Sequence, residues 1–269
     1  MSKITTVYCE GVAGSHDYDI INKLATDLTI RIEPIGSKKG AGSAIQVYER
    51  LVVKSDFYLF FRDRDFDEAV PDTARLTKKG NYTFFSHRTT IENYLFDIPA
   101  FFSFVEANGM SEKYQLRNHS DVKKLFIKAA KNIKYYQASR HTLGFLRTDK
   151  TSFNTTWTEG SGILPEVLED ETCMNNGIAK ILEAKTYTEI WDRDSFRDKY
   201  KEFLGFFDDY FFDNLNFLIW FQGKDFATSL KKELIDFPLK SYYNYAKSNF
   251  NFTKFPDLVE FHKILKDNQ

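Results

Sequence analysis

Three aspartates, Asp63, Asp65 and Asp67, alternate along the segment that follows the apolar run 57–61. Alternate residues share one face for as long as strand geometry lasts. Carboxylates crowded in this way repel one another unless a cation lies among them, and hard oxygen donors suit Mg²⁺ or Mn²⁺. Arg62 and Arg64, interleaved with the acids, could relieve the same repulsion from within the protein. A calcium-binding EF-hand needs Gly at its sixth position and Glu at its twelfth. Counted from Asp63 these are Glu68 and Ala74, which excludes that chemistry. A phosphatase with an aspartate nucleophile would usually carry Asp-x-Asp on its first strand, whereas here it follows the third. A phosphoryl or sugar-nucleotide transferase using Asp-x-Asp with Mn²⁺ stays open.

A second acid narrows the choice. Glu10 closes a short β-rich run, 4–9, and Gly11 follows it. Glycine lets the chain turn without a side chain blocking the space beyond the strand. If the first and third strands are neighbours, Glu10 faces the Asp-x-Asp. Glu10, Asp63 and Asp65 are therefore the expected metal ligands, with Asp67 a further candidate. Such a cation would activate water and neutralise charge on a scissile phosphate.

These residues need a scaffold that gathers strand ends. Residues 17–28 read as a helix with Ile20, Ile21, Leu24 and Leu28 on one face. Residues 29–35 and 57–61 read as strands, 43–53 as a second helix and 82–85 as a fourth strand. Strands joined through helices of this length imply right-handed crossovers and a mostly parallel sheet. Functional residues of such sheets lie beyond the carboxyl ends of strands, where Glu10, Gly36 and Asp63 all fall. Beyond residue 98 helix signals dominate, with one more strand expected at 217–221. The expected organisation is an α/β core over 1–98 and a mainly helical extension over 99–269.

Composition limits the partners. The net charge is -1, so any attraction for nucleic acid must be local. Residues 111–150 supply such a patch, with ten Lys or Arg against three Asp or Glu. Within it 121–134 reads as a helix with Val122, Leu125, Phe126, Ala129, Ala130 and Ile133 on one face. Lys123, Lys124, Lys128, Lys131 and Lys134 take the other, either as a solvated surface or as a phosphate-binding face. Tyr135 and Tyr136 follow, suited to stacking on bases or to packing. Lys38 and Lys39, in the glycine-rich turn 36–43, read as a solvated rim; that turn lacks the ending of a phosphate-binding P-loop. His16 and His87 lie near the acids. The aromatic share of 17% implies a large aromatic core. Two cysteines, no visible signal segment and no long apolar run give the expectation of a cytoplasmic protein without a membrane span.

Val7-Tyr8-Cys9-Glu10-Gly11, followed by Phe60-Phe61-Arg62-Asp63-Arg64-Asp65, resembles a TOPRIM domain, the metal-binding fold of topoisomerases, primases and OLD nucleases. Arg88-Thr89-Thr90-Ile91-Glu92-Asn93-Tyr94-Leu95 and Trp220-Phe221-Gln222-Gly223-Lys224-Asp225 resemble motifs of a TOPRIM subgroup. That subgroup includes the AriB-type nuclease subunits of PARIS anti-phage systems. The resemblance spans 4–95 and a patch at 217–235. It implies Glu10 as metal ligand or general acid/base, Asp63 and Asp65 as ligands, Glu92 as a further ligand, and Lys224 as a phosphate-stabilising cation. OLD-like members often carry a second acid about four residues after the glutamate; here Asp17 comes later, which puts a second metal position in question. The resemblance also implies a toxic effector held by a separate ATPase, since this chain has no P-loop, and a homodimer stays open. The expected activity is thus a divalent-metal endonuclease on RNA or DNA. The rival expectation is a regulatory module that holds metal without cutting.

Overall fold

The computed structural model describes residues 5–36, 57–66, 68–147, 153–188 and 192–268. The expected helix at 43–53, together with Lys38, Lys39 and Asp67, lies outside them. The chain divides into two compact units. The first comprises Met1–Arg64, Val70–Leu95 and Tyr243–Gln269, and the second Asp65–Ala69 and Phe96–Tyr242. The boundary after Leu95 lies close to the one read from sequence. The last segment, from Tyr243, belongs with the sheet instead of with the helical part.

The first unit is built on five strands, β1 Thr5–Cys9, β2 Ile30–Pro34, β3 Phe57–Arg62, β4 Thr77–Lys79 and β5 Thr83–Phe85. Their order is β2-β1-β3-β5-β4. The pairs β1–β2, β1–β3 and β3–β5 are parallel, and only β4 runs antiparallel, against β5. The mostly parallel α/β sheet is thus present, with a hairpin strand that the sequence did not signal. Both faces are covered, which is why β3 is apolar from Phe57 to Phe61 instead of alternating. Val7, Cys9, Leu59 and Phe61 are buried on one face. Tyr8 stacks on Phe60 on the other, with ring centroids 5.1 Å apart.

Helix α1, His16–Leu24, follows β1. It begins one residue before the expected start, capped by the Ser15 side chain, and ends at Leu24 instead of Leu28. Its buried residues are Ile20, Ile21 and Leu24. A short helix, α2 Glu92–Leu95, ends the main run of this unit.

The second unit is helical: α3 Ile98–Ala107, α4 Ser111–Tyr114, α5 His119–Asn132, α6 Lys134–Leu146, α7 Asp170–Thr188, α8 Arg193–Phe206, α9 Asp209–Asp213, α10 Phe217–Trp220 and α11 Gly223–Glu233. Helix α12, Leu239–Ser248, carries the chain back into the first unit, where α13, Pro256–Asp267, completes it. Phe261 of α13 packs 4.8 Å from Phe61 and 5.9 Å from Phe84, closing that face of the sheet. The helical core is aromatic, as composition required: Phe101 meets Phe126 at 5.1 Å, and Phe96 meets Phe226 edge-on at 4.9 Å.

Two expectations are corrected. Residues 217–221 are not a strand but carry the single-turn helix α10. A short apolar run cannot be assigned by periodicity alone, and every strand among the described residues belongs to the other unit. The helix expected at 121–134 ends at Asn132. Ile133 closes it and Lys134 opens the next helix.

Candidate active site at the carboxyl edge of the sheet

β1 and β3 are adjacent and parallel, with Cys9 opposite Phe61. Glu10 and Asp63 therefore emerge just beyond the carboxyl ends of two neighbouring strands. The chain turns sharply after Glu10. Gly11 has φ of 84°, and a Cβ there would fall 2.4 Å from Ser15 Oγ, so only glycine is accommodated. Gly11 and Gly36 exchange backbone hydrogen bonds of 2.7 and 2.8 Å, tying the ends of β1 and β2 together. The Asp17 carboxylate lies against this turn, its Oδ2 3.9 Å from the same Cβ position. Burial, then the charges of Asp17 and Glu10, push the Cys9 thiol up to about 12. Asp17 thus joins the Glu10 edge.

The partner of Glu10 is Arg62. Continuing the β1–β3 register by one residue sets Glu10 opposite Arg62. Arg62 Nε donates to Glu10 Oε1 at 3.0 Å, with the two side chains 17% and 15% exposed. The guanidinium also lies over the Phe85 ring, 5.4 Å from its centroid. Asp63 follows directly, and its Oδ1 is buried. Arg64 turns inward, 1% exposed. It donates from Nε to the His87 carbonyl at 3.2 Å and from Nη2 to Thr89 Oγ1 at 2.8 Å. Of the two interleaved arginines, Arg62 neutralises an acid from another strand and Arg64 fixes the loop after β5.

That loop is the start of the motif 88–95. Thr89 to Leu95 are all buried, Glu92 among them at 5% exposure. Asp257, in the first turn of α13, accepts from the His87 backbone N–H at 2.9 Å and from the Tyr94 hydroxyl. Burial lowers the His87 imidazole below its ordinary value, with Arg64 and Arg88 adding to the effect and Asp257 opposing it. Tyr243, which begins the returning segment, packs its ring against His16, with centroids 4.6 Å apart and the planes tilted by 56°. Burial, then the Glu92 charge, raises its hydroxyl well above the ordinary range. Glu92, Tyr243 and His16 thus form one neighbourhood. Tyr243 and Asp257 stand outside the motif segments, so their parts in the site had no local sequence signal.

Asp65 and Lys224 belong to the second unit. Asp65 adopts a left-handed backbone, φ 47°. Burial lowers the Arg147 guanidinium below its ordinary value, and the nearby Asp65 charge opposes that lowering. Lys224 is exposed in the first turn of α11, with its Cβ against Gly162. Asp225 is fully buried and accepts from Arg140 Nη1, from Gln137 Nε2 at 2.8 Å and from the Gly162 N–H at 2.7 Å. Glu233 pairs with Lys128 at 2.6 Å.

That pair qualifies the basic face. Helix α5 does bury Val122, Phe126, Ala129 and Ala130, with Ile133 buried just beyond its end. Lys124, Lys128 and Lys131 are exposed and Lys123 half-buried. However, Lys128 meets Glu233 of α11, and Lys131 meets Asp209 of α9 at 2.7 Å. Acids from other helices thus interrupt a face that looked unbroken in the linear sequence. Lys134 stands on α6, over the Tyr135 ring. Tyr136 is buried and shares its hydroxyl with Thr156 at 2.6 Å, so it packs instead of presenting a stacking face.

Among the described residues no group of three or more His, Cys, Asp or Glu is placed to hold a metal ion. Among them, too, no helix is long and apolar enough to cross a membrane. Compared with known proteins, the chain matches no family model and no curated protein.

Proposed function

We propose that the chain is a phosphodiester hydrolase acting on RNA or DNA, with its working edge at the carboxyl ends of β1 and β3. One observation carries this reading: β1 and β3 are adjacent and parallel, and Glu10 and Asp63 each follow the carboxyl end of one of them, where α/β sheets place their chemistry. Glu10 is the candidate general acid/base, because a carboxylate at a half-open edge can orient and deprotonate water. Asp17 and the Glu92–Tyr243–His16 neighbourhood belong to the same unit and support a polar, acidic site.

Mg²⁺ or Mn²⁺ is the helper that such carboxylates suit chemically. As placed, the donors do not fit a cation. Glu10 is engaged by Arg62, and the described residues gather no three-donor set. No step is therefore derived through a metal. The motif resemblance extends the proposal to an effector nuclease of anti-phage defence with a separate ATPase partner; the motif residues alone support that extension. That no three-donor set is gathered among the described residues favours a second reading, a regulatory module that does not cut.

The test is incubation of the purified full chain with RNA and with DNA in Mn²⁺, in Mg²⁺ and in excess chelator. Cleavage of either polymer that stops in chelator supports the metal-dependent hydrolase. No cleavage of either polymer, with the chain folded, favours the non-cutting module.

A further inference from the structure

Within the first unit, α1 and the end of α12 border a cleft of about 590 Å³. The α1 wall carries Tyr18, Asp19, Asn22 and Lys23, and the α12 wall carries Asn244 and Lys247. Two lysines cross the cleft in opposite directions. Lys247 Nζ meets Asp19 Oδ2 at 2.6 Å, and Lys23 Nζ donates to the Ser248 carbonyl at 3.4 Å. Neighbouring helices ordinarily turn apolar stripes toward each other, because that burial stabilises the contact. Here the walls are polar, and one part-exposed ion pair contributes little. Packing therefore does not account for the cleft, whereas its size and its convergent polar groups suit a small ligand. Among the described residues the ring and hydroxyl of Tyr18 and the side-chain amide of Asn244 have no ring or hydrogen-bond partner, and Asn22 spends only its Nδ2, on the Tyr18 carbonyl.

We propose that this cleft binds a nucleoside monophosphate. Two lysines against one carboxylate leave the lining with a net positive charge, which favours an anion. Lys23 is exposed and makes only one long contact, so its ammonium has donors left for a phosphate. Asp19 is one helical turn from Lys23, on the same face, and a carboxylate accepts well from ribose hydroxyls. Tyr18, half-buried beside it, offers a ring on which a base stacks. The amides of Asn22 and Asn244 match the paired donor and acceptor of a base edge. Glu10, Arg62 and Asp63 do not line the cleft, so the proposal holds whether or not the chain cuts nucleic acid.

The experiment is calorimetric titration of the full chain, in phosphate-free buffer, with adenosine monophosphate, adenosine and inorganic phosphate. Adenosine monophosphate is expected to bind with a Kd of about 1 mM or tighter, and each of its two parts at least about tenfold more weakly. Lys23→Met keeps the aliphatic stem and removes the charge, and Tyr18→Leu removes the ring. Each variant, once shown to melt like wild type, is expected to weaken binding of the nucleotide about tenfold, the scale of one charge-assisted bond or one stacked base. Lys232→Met, on an exposed position of α11 in the other unit, is expected to bind like wild type. No binding of the nucleotide in the millimolar range overturns the proposal, as does binding that either folded variant leaves unchanged. Adenosine or inorganic phosphate binding as tightly as the nucleotide overturns it too, because the cleft would then recognise only one part. An equal loss in Lys232→Met would show attraction by overall charge and overturn it as well.

Discussion

Asp257 accepts hydrogen bonds from the backbone N–H of His87 and the hydroxyl of Tyr94, joining the first turn of the last long helix to the loop after β5. The carboxylate is 2% exposed, so both donors depend on it alone for satisfaction from α13. Asp257→Ala strands two buried donors, each costing about 1–3 kcal/mol. A loss on the order of 3 kcal/mol, seen as a melting temperature several degrees lower, is expected. A melt within a degree of wild type would show that water or a neighbour replaces Asp257.

His87 gives the same region a pH dependence. Its folded value is depressed, mainly by burial, below the unfolded value of about 6.5. The stability it contributes is fully present above that unfolded value and is lost as pH falls through the folded one. In urea titrations at pH 7.5 and pH 5.5, wild type is expected to lose more stability on acidification than His87→Gln. Equal losses would mean that the imidazole does not carry the effect.

The lysines of α5 divide by their partners. Lys124→Glu is expected to weaken nucleic-acid binding and flatten its salt dependence. Lys128→Glu is expected to add repulsion with Glu233, so its effect mixes binding with local stability. Titrating both variants against labelled RNA and DNA at several salt concentrations separates the two. Unchanged affinity and salt slope in Lys124→Glu would make this face ordinary solvated surface.

Lys224 separates a catalytic cation from a helix-start residue. It sits exposed beside a buried Asp225 whose acceptors are taken by Arg140, Gln137 and Gly162, so its removal should leave that hub intact. If Lys224 acts as the phosphate-stabilising cation that the motif resemblance implies, Lys224→Ala lowers single-turnover cleavage by about a hundredfold, the scale of one charge-stabilising donor. Normal cleavage would remove Lys224 from the site.

The sheet was legible because its signals are local. The apolar run of β3 and the short β-rich run of β1 lie on strands within a residue of where they were read, and the α1 face of Ile20, Ile21 and Leu24 is buried. The adjacency of the Glu10 and Asp63 strand ends followed from them. What failed depended on long-range pairing. Register decides which side chain meets Glu10, and a one-residue difference changes the answer from an aspartate to Arg62. The lysine face looked unbroken because Asp209 and Glu233 approach from helices far along the chain. The run at 217–221 looked like a strand because five apolar residues serve either state, and only its helical surroundings choose. Tyr243 and Asp257 reach the 86–95 region through the chain's return, which no local pattern announces.

The central claim is that the carboxylates at the ends of β1 and β3 perform phosphodiester hydrolysis. The most direct measurement is single-turnover cleavage in Mn²⁺ by Glu10→Gln and Asp63→Asn, each shown to melt like wild type, with Asp194→Asn on the exposed start of α8 as control. Both site variants are expected to cut at least about a hundredfold more slowly, the scale of losing one group that acts on the transition state. The control is expected to match wild type. Cleavage at the wild-type rate by either folded site variant would contradict the claim.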